Sequence, residues 1–202
     1  MFVTIEGIEG SGKSTLLNGL AERLRAEGRE VFVTREPGGT PVGDSIRRIV
    51  LEPGLHIASL TEALLMNAAR AQHVIEAILP ALACGQVVLC DRYADSSLAY
   101  QGFGRGLDLT MLRGIIQAAT SGLEPDRTFL LDIPVELSRA RLVARSVGLD
   151  RLETEQDAFY ERARRGFLQL ATGNPRFVVL DGRMTPDELI ERAMSGLAQI
   201  EP

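Results

Sequence analysis

The chain has 202 residues, 45% of them apolar and 24% charged, and a formal net charge of −5. That length and apolar share suit one domain with a sizeable core, covering 1–202, and argue against disorder. The acidic balance excludes non-specific nucleic-acid binding as a function, so any work on phosphate has to be done in a local basic pocket.

Phe2 to Glu6 is a short apolar strand that runs into a glycine-rich turn. Lys13 to Glu27 then has helical periodicity through Leu16, Leu17, Leu20 and Leu24, and Gly28 closes it. Val31 to Thr34 is a second strand, and Pro41 to Leu51 a helix stopped near Pro53-Gly54. Leu60 to Ala83 reads as one long, mostly apolar helix bent at Pro80. Val87 to Cys90 is a third strand, Leu109 to Ala119 a helix, and Thr128 to Asp132 a fourth strand. Helices follow at Val135 to Arg145 and Gln156 to Ala171. Phe177 to Leu180 is a fifth strand, and Pro186 to Leu197 the last helix.

Short apolar strands alternating with helices predict an α/β fold with a parallel sheet covered on both faces. Ligands of such sheets bind beyond the carboxyl ends of the strands. The informative residues are therefore Gly7 to Ser14, Arg35 to Thr40, Asp91 to Gln101, Asp132 and Asp181. No run of about 18 apolar residues offers a membrane span, and no signal peptide opens the chain, so a cytoplasmic protein is expected. Cys84 and Cys90 read as two buried thiols of a reducing compartment.

Gly7-Ile8-Glu9-Gly10-Ser11-Gly12-Lys13-Ser14 matches G-x-x-x-x-G-K-[ST] in full, between a strand and a helix as the motif requires. Glycines let backbone N–H groups curl around phosphate oxygens, and the helix N-terminus adds partial positive charge. Lys13 reaches the β- and γ-phosphates, and the Ser14 hydroxyl is placed to ligate Mg²⁺. Lys13 is the only lysine in the chain, which otherwise uses arginine. A compact ammonium is what this position needs. Glu9 is anomalous, since a carboxylate inside an anion-binding loop is unfavourable unless something offsets it. Bonding a sugar hydroxyl, acting on Mg²⁺ through water, or pointing into solvent would each account for it.

After the second strand, Arg35 offers a forked donor for phosphate and Glu36 an oxygen for hydrated Mg²⁺. After the third, Asp91 is the expected carboxylate for Mg²⁺, and Arg92 brings positive charge beside the transferred phosphoryl group. Ser96, Ser97, Tyr100 and Gln101 follow in a hydroxyl- and amide-rich segment that suits a sugar and a base. His56 and His73 stand away from the strand ends and read as structural or surface residues.

Glu6 to Thr15, Thr34-Arg35-Glu36-Pro37-Gly38-Gly39-Thr40, Ala68-Ala69-Arg70-Ala71-Gln72, and Asp91-Arg92-Tyr93 through Tyr100-Gln101-Gly102 resemble the bacterial thymidylate kinases in order and spacing. The resemblance implies a nucleoside monophosphate kinase fold with a five-stranded parallel sheet, usually homodimeric, and transfer of the γ-phosphoryl group of ATP to dTMP. It implies an ATP site at Gly7, Glu9, Gly10, Ser11, Gly12, Lys13, Ser14 and Thr15. It implies that Arg70 bonds the thymine edge, assisted by Ser97 and Gln101. Tyr100 would lie by the deoxyribose, Arg35 and Arg92 would hold the acceptor phosphate, and Glu9 would meet the 3′-hydroxyl. A cis Glu36-Pro37 bond is also implied. One position departs from the pattern: many relatives carry a stacking phenylalanine where this chain has Met66, whose polarizable sulfur can pack on a ring instead.

The arginine-rich stretch with Arg139, Arg141, Arg145 and Arg151 corresponds to a lid over ATP, about 139–155. The phosphate loop has no arginine, so the resemblance implies that the lid supplies a catalytic one. Arg145 is the first choice and Arg141, one helical turn before it, the second. A phosphate acceptor with its second pKa near ~6 is already ionised at neutral pH and needs no general base. Another small-molecule kinase of the same fold is the main rival. A nucleoside kinase would need a base, and Glu36 is the residue available. A GTPase switch is disfavoured by the lack of an Asn-Lys-x-Asp signature.

Overall fold

A computed structural model of the chain describes residues 1–145, 148 and 150–199. In chain order the elements are β1 (Phe2–Glu6), α1 (Lys13–Ala26), β2 (Val31–Arg35), α2 (Pro41–Leu51) and α3 (Ser59–His73). A π-helical turn at Val74–Ile78 leads to α4 (Leu79–Ala83), then β3 (Val87–Asp91), α5 (Ala94–Ser97) and a second π-helical stretch, Leu98–Gly104. The remainder is α6 (Leu109–Thr120), β4 (Arg127–Asp132), α7 (Val135–Ala144), α8 (Asp157–Ala171), β5 (Phe177–Asp181) and α9 (Pro186–Leu197).

The strands form one five-stranded sheet in the order β2-β3-β1-β4-β5. Every pairing is parallel, as the alternation of strand and helix predicts. The side-chain period of two divides β1 and β4 between two cores. Val3, Ile5, Phe129 and Leu131 meet Leu16, Leu20 and Leu24 of α1 and Leu189, Ala193 and Leu197 of α9. On the other face, Leu130 meets Tyr100, Phe159, Tyr160 and Phe167, and Phe2 meets Val74, Ile78 and Tyr93. Each fully buried leucine here contributes about 2 kcal/mol by leaving water.

Local signals set several ends. After α1, the Gly28 N–H bonds the Arg25 carbonyl and the Arg29 N–H the Leu24 carbonyl, with Gly28 at φ 81. This is the double closure that needs a left-handed residue. Thr40 caps α2 ahead of Pro41, and Thr185 forms a capping box with Glu188 ahead of Pro186 in α9.

Three expectations change. The helix expected over Leu60 to Ala83 is not one bent α-helix. Its register shifts through the π turn, whose Val74 carbonyl accepts from the Leu79 N–H, before Pro80 is reached. Residues 94–104, expected only as a polar segment, are helical, because Gly104 and Gly102 let this turn press against Phe159 and Leu109. Cys84 is exposed, and only Cys90 is buried.

Candidate active site

The carboxyl ends of β1, β2 and β3 open on one cavity of about 620 Å³. The reversal of strand order puts it there: the chain leaves β1 for β2 and β3 on one side and later places β4 on the other. At one end is the phosphate loop. Gly12 begins α1 in the left-handed region at φ 103, and no side chain caps the first-turn N–H groups. Gly10, Gly12, Lys13, Ser14 and Thr15 all line the cavity. Gly7 does not, but it is indispensable to the turn: at φ +137, a Cβ there would stand 2.4 Å from the Leu131 carbonyl oxygen. Its carbonyl accepts from Lys13 Nζ at 3.1 Å and Arg92 Nη1 at 2.9 Å. Ser11 lies beneath the loop with its Oγ buried and unpartnered.

Lys13 is 8% exposed and gives a second bond, of 3.1 Å, to the Ile8 carbonyl. Burial, helped by the charge of Arg92, pulls its pKa down to about 8, although Asp91, Glu9 and Glu6 oppose the change. Ser14 Oγ donates to Asp91 Oδ2 at 3.3 Å, and Asp91 Oδ1 is buried with no partner. A hydroxyl and a carboxylate with a spare oxygen beside a phosphate loop fit a hydrated Mg²⁺ held mainly by water and phosphate. Among the described residues no group of three or more His, Cys, Asp or Glu is gathered for a metal.

Glu36 does not join that pair. Its Oε2 accepts from Arg70 Nε at 2.8 Å and its Oε1 is 3.0 Å from His73 Nδ1, all three side chains being buried. The carboxylate expected to serve Mg²⁺ is spent on orienting Arg70. His73 also meets Thr34 Oγ1 at 2.7 Å through Nε2, a structural role as expected, and His56 is exposed. The Glu36-Pro37 peptide is cis, as the resemblance implies.

Arg92 organises the middle of the cavity. It sits at φ 71, a costly conformation for a residue with a Cβ. Its Nη1 donates to Gly7 O and to Ser96 Oγ at 3.2 Å, and its Nη2 to Glu9 Oε1 at 2.7 Å. Tyr100 donates its hydroxyl to Glu9 Oε2 at 2.7 Å, and the Arg92 guanidinium stands over the Tyr100 ring. Glu9 is thus neither solvated nor free. Burial alone would raise its pKa, but Arg92, Lys13 and the Tyr100 hydroxyl turn it downward. Glu6 lies behind, accepting from the Tyr93 N–H and Ser96 Oγ. Burial, with Asp95 beside it, raises its carboxyl to about 8 against the pull of Arg92.

At the far end, Arg70 donates from Nη1 to Asn67 Oδ1 at 2.7 Å and to Ser97 Oγ at 2.9 Å, and from Nη2 to the Tyr93 carbonyl at 2.9 Å. Gln101 donates its amino group to the buried Glu62. Met66 packs with Val50 and Leu152, so a residue from the segment after α7 forms part of this wall. Arg35 is more exposed than expected of a phosphate clamp and bonds Asp44 at 3.3 Å. Arg47, which sequence reasoning missed, lines the same cavity, is bound to the Pro37 carbonyl and feels the charges of Arg35 and Arg92. Its place one and a half turns into an amphipathic helix is the only signal that could have marked it.

Arg141 bridges the Gly10 and Gly182 carbonyls, both at 3.0 Å. Among the described residues Arg145 has a single acceptor, Glu153 Oε1 at 2.6 Å, and it is half exposed. Both line the cavity. Ser146, Val147 and Leu149, which belong to the expected lid, lie outside the described residues. Asp132 is held by the Arg164 fork and Asp181 by Arg183, while Gly182, just beyond β5, lines the cavity.

The sequence model of a family described as Thymidylate kinase matches residues 5–192. A protein named Thymidylate kinase from Deinococcus radiodurans is 54% identical over 94% of this chain and 92% of its own length. Relatives of the same name from Desulfovibrio desulfuricans and Pseudomonas putida are each 48% identical over 98% of this chain, and the chain covers 94% and 95% of them.

Proposed function

The chain belongs to the thymidylate kinase family, and from that premise we propose how its residues divide the work. The reaction is transfer of the γ-phosphoryl group of ATP to dTMP, giving dTDP and ADP. One observation carries the reading: the phosphate loop and the Arg70–Ser97–Gln101 end line the same cavity, with Arg92 between them.

The loop N–H groups and Lys13 hold the ATP phosphates, and α1 adds its dipole. Ser14 and Asp91 are the residues that would hold Mg²⁺, which when bound neutralises charge on the phosphates. Glu36 is withdrawn from that set and becomes the orienting partner of Arg70. Arg92 holds the acceptor phosphate with Arg35 and Arg47. Glu9, fixed by Arg92 and Tyr100, faces the sugar, and the Tyr100 ring crowds its 2′ position. Arg70, Ser97 and Gln101 read the base, with Met66 against its face. Arg145 contributes to transition-state charge, exchanging Glu153 for phosphate, while Arg141 steadies the loop. Catalysis is positioning and charge neutralisation, since the acceptor oxygen is already ionised.

We read the chain as one cytoplasmic kinase domain with its lid within 139–155, acting on small nucleotides rather than nucleic acid. No helix among the described residues is long and apolar enough to cross a membrane. Exposed Leu60 and Leu64 on α3, with Ile75 and Leu79 beyond it, support a homodimer packed through this face. The test of function is ADP release from Mg-ATP with dTMP, dUMP, dCMP, dGMP or thymidine offered singly. Turnover with dTMP well above the rest is expected. Turnover with thymidine and none with dTMP would overturn the acceptor site.

A further inference from the structure

A glutamine amide is ambiguous as a reader of bases. It carries a donor at one corner and an acceptor at the other, and half a turn exchanges them. What Gln101 shows a ligand is decided by the group that holds its opposite corner, and that group is Glu62.

Glu62 lies in the first turn of α3 and is fully buried. Its Oε1 accepts from Gln101 Nε2 at 2.8 Å and Arg105 Nε at 3.3 Å. Its Oε2 accepts from Arg151 Nη2 at 2.6 Å and Arg105 Nη2 at 3.1 Å. Burial works against its charge, but the bonds from Arg105, Gln101 and Arg151 prevail and lower its pKa. An ionised carboxylate has nothing to donate. Only the amino group of Gln101 can face it, which leaves the Gln101 carbonyl for another partner, and Gln101 lines the cavity.

We propose that Glu62 is a positioning residue that sets the donor–acceptor sense of the base pocket: by holding the Gln101 amino group it presents the Gln101 carbonyl to the base, so the site takes a pyrimidine with a ring N–H and rejects one with a bare ring nitrogen. Thymine and uracil carry N3–H between two carbonyls. Cytosine carries a lone pair at N3 and an amino group beside it. Arg70 supplies the matching half. Four of its N–H groups go to Glu36, Asn67, Ser97 and Tyr93. The guanidinium has five, so one remains on Nη2, a donor that suits a carbonyl and repels an amino group. Beside it, Asn67 accepts from Nη1 and ties its own amino group to the Ala63 carbonyl.

The inference rests on the base-pocket reading above, and its test separates the two. Initial rates with dTMP and dCMP are measured on full-length wild type, Glu62→Gln, Gln101→Leu and the double variant, with melting temperatures for each. Glu62→Gln can donate as well as accept, so Gln101 is free to turn over. The dTMP KM is expected to rise and the dTMP-to-dCMP ratio of kcat/KM to fall about 10-fold or more, with the ATP KM unmoved. Adding Glu62→Gln to Gln101→Leu is expected to lower the ratio no further. A Glu62 that matters only for folding would lower the melting temperature and slow both substrates alike, and an unmoved ratio overturns the proposal. If Gln101→Leu also leaves the ratio unmoved, the base-pocket reading falls with it; if Gln101→Leu lowers the ratio and Glu62→Gln does not, only this inference falls. Should Glu62→Gln not fold, the exchanged pair Glu62→Gln with Gln101→Glu keeps an acceptor toward the base. That pair is expected to keep the preference for dTMP over dCMP, and its loss overturns the proposal.

Discussion

Replacing Lys13 tests both the electrostatics of the phosphate loop and its role. The ammonium is nearly buried, and the Gly7 and Ile8 carbonyls are its acceptors among the described residues. Moving its pKa from 10.5 to about 8 corresponds to about 3 kcal/mol held against the charged form. ATP phosphates reverse that penalty, so the bound complex keeps Lys13 charged to higher pH. Between about 8 and 10.5, free protein has lost the proton that the complex needs, and ATP binding must take one up. Calorimetric titration of ATP at about pH 9, in two buffers of different ionisation enthalpy, is expected to show uptake of close to one proton per ATP. Lys13→Met should show none and should abolish transfer. The stability sign runs the same way. The folded pKa is lowered, so the penalty is full below about 8 and relieved as pH rises towards 10.5. Lys13→Met without nucleotide is therefore expected to melt higher than wild type at neutral pH, by about 1–3 kcal/mol. No proton uptake by wild type at pH 9, or transfer retained in Lys13→Met, would refute the reasoning.

Two further substitutions test the acceptor end. Arg70→Ala leaves the Glu36 carboxylate buried without its guanidinium, so a loss of about 3–5 kcal/mol of stability is expected. In protein that still folds, the dTMP KM should rise far more than the ATP KM; an effect confined to ATP would contradict its place at the base. Met66→Phe should overpack the cluster with Val50 and Leu152 and cost about 1–3 kcal/mol. Adding Leu152→Ala should recover most of that in chemical denaturation, and failure to recover would show that Leu152 does not compete for the space.

What the sequence made legible was local. The phosphate loop is contiguous, the strands are short apolar runs, and Gly28 marks a helix end by its own chemistry. Residues 94–104 were not legible as helix, since Ser96, Ser97, Gly102 and Gly104 are poor helix formers. Their packing against α8 overrides propensity, and of the residues that weaken the helix Gly104 lets it approach Phe159 and Gly102 lets it approach Leu109. Pro80 drew attention to the wrong place, because the register change lies in the π turn just before it. Glu36 looked like a metal oxygen because its partners, Arg70 and His73, stand 34 and 37 residues downstream. No periodicity carries that distance. Glu62 escaped for the same reason: its donors are Gln101 and Arg105, about forty residues downstream, and Arg151, nearly ninety.

The oddity of a carboxylate in an anion-binding loop resolves through Arg92. Before any nucleotide arrives, a guanidinium between the loop and the acceptor site would be a buried charge in need of a partner. Glu9 is that partner, and the interaction sustains both groups: Arg92 is held charged and Glu9 ionised. Yet Glu9 does not use Arg92 up. Gly7 O, Ser96 Oγ and Glu9 Oε1 take both N–H groups of Nη1 and one of Nη2. One N–H remains on Nη2 and one on Nε, and two such groups on one guanidinium suit two oxygens of a phosphate. An arginine with no carboxylate would have to be reoriented by its ligand, while one paired on both edges could not bind it. The left-handed backbone at Arg92 is the cost of this arrangement. It turns the guanidinium back over the Tyr100 ring and the Gly7 carbonyl. An acceptor phosphate bound as proposed would therefore meet a donor edge already oriented, in a chain whose net charge is negative.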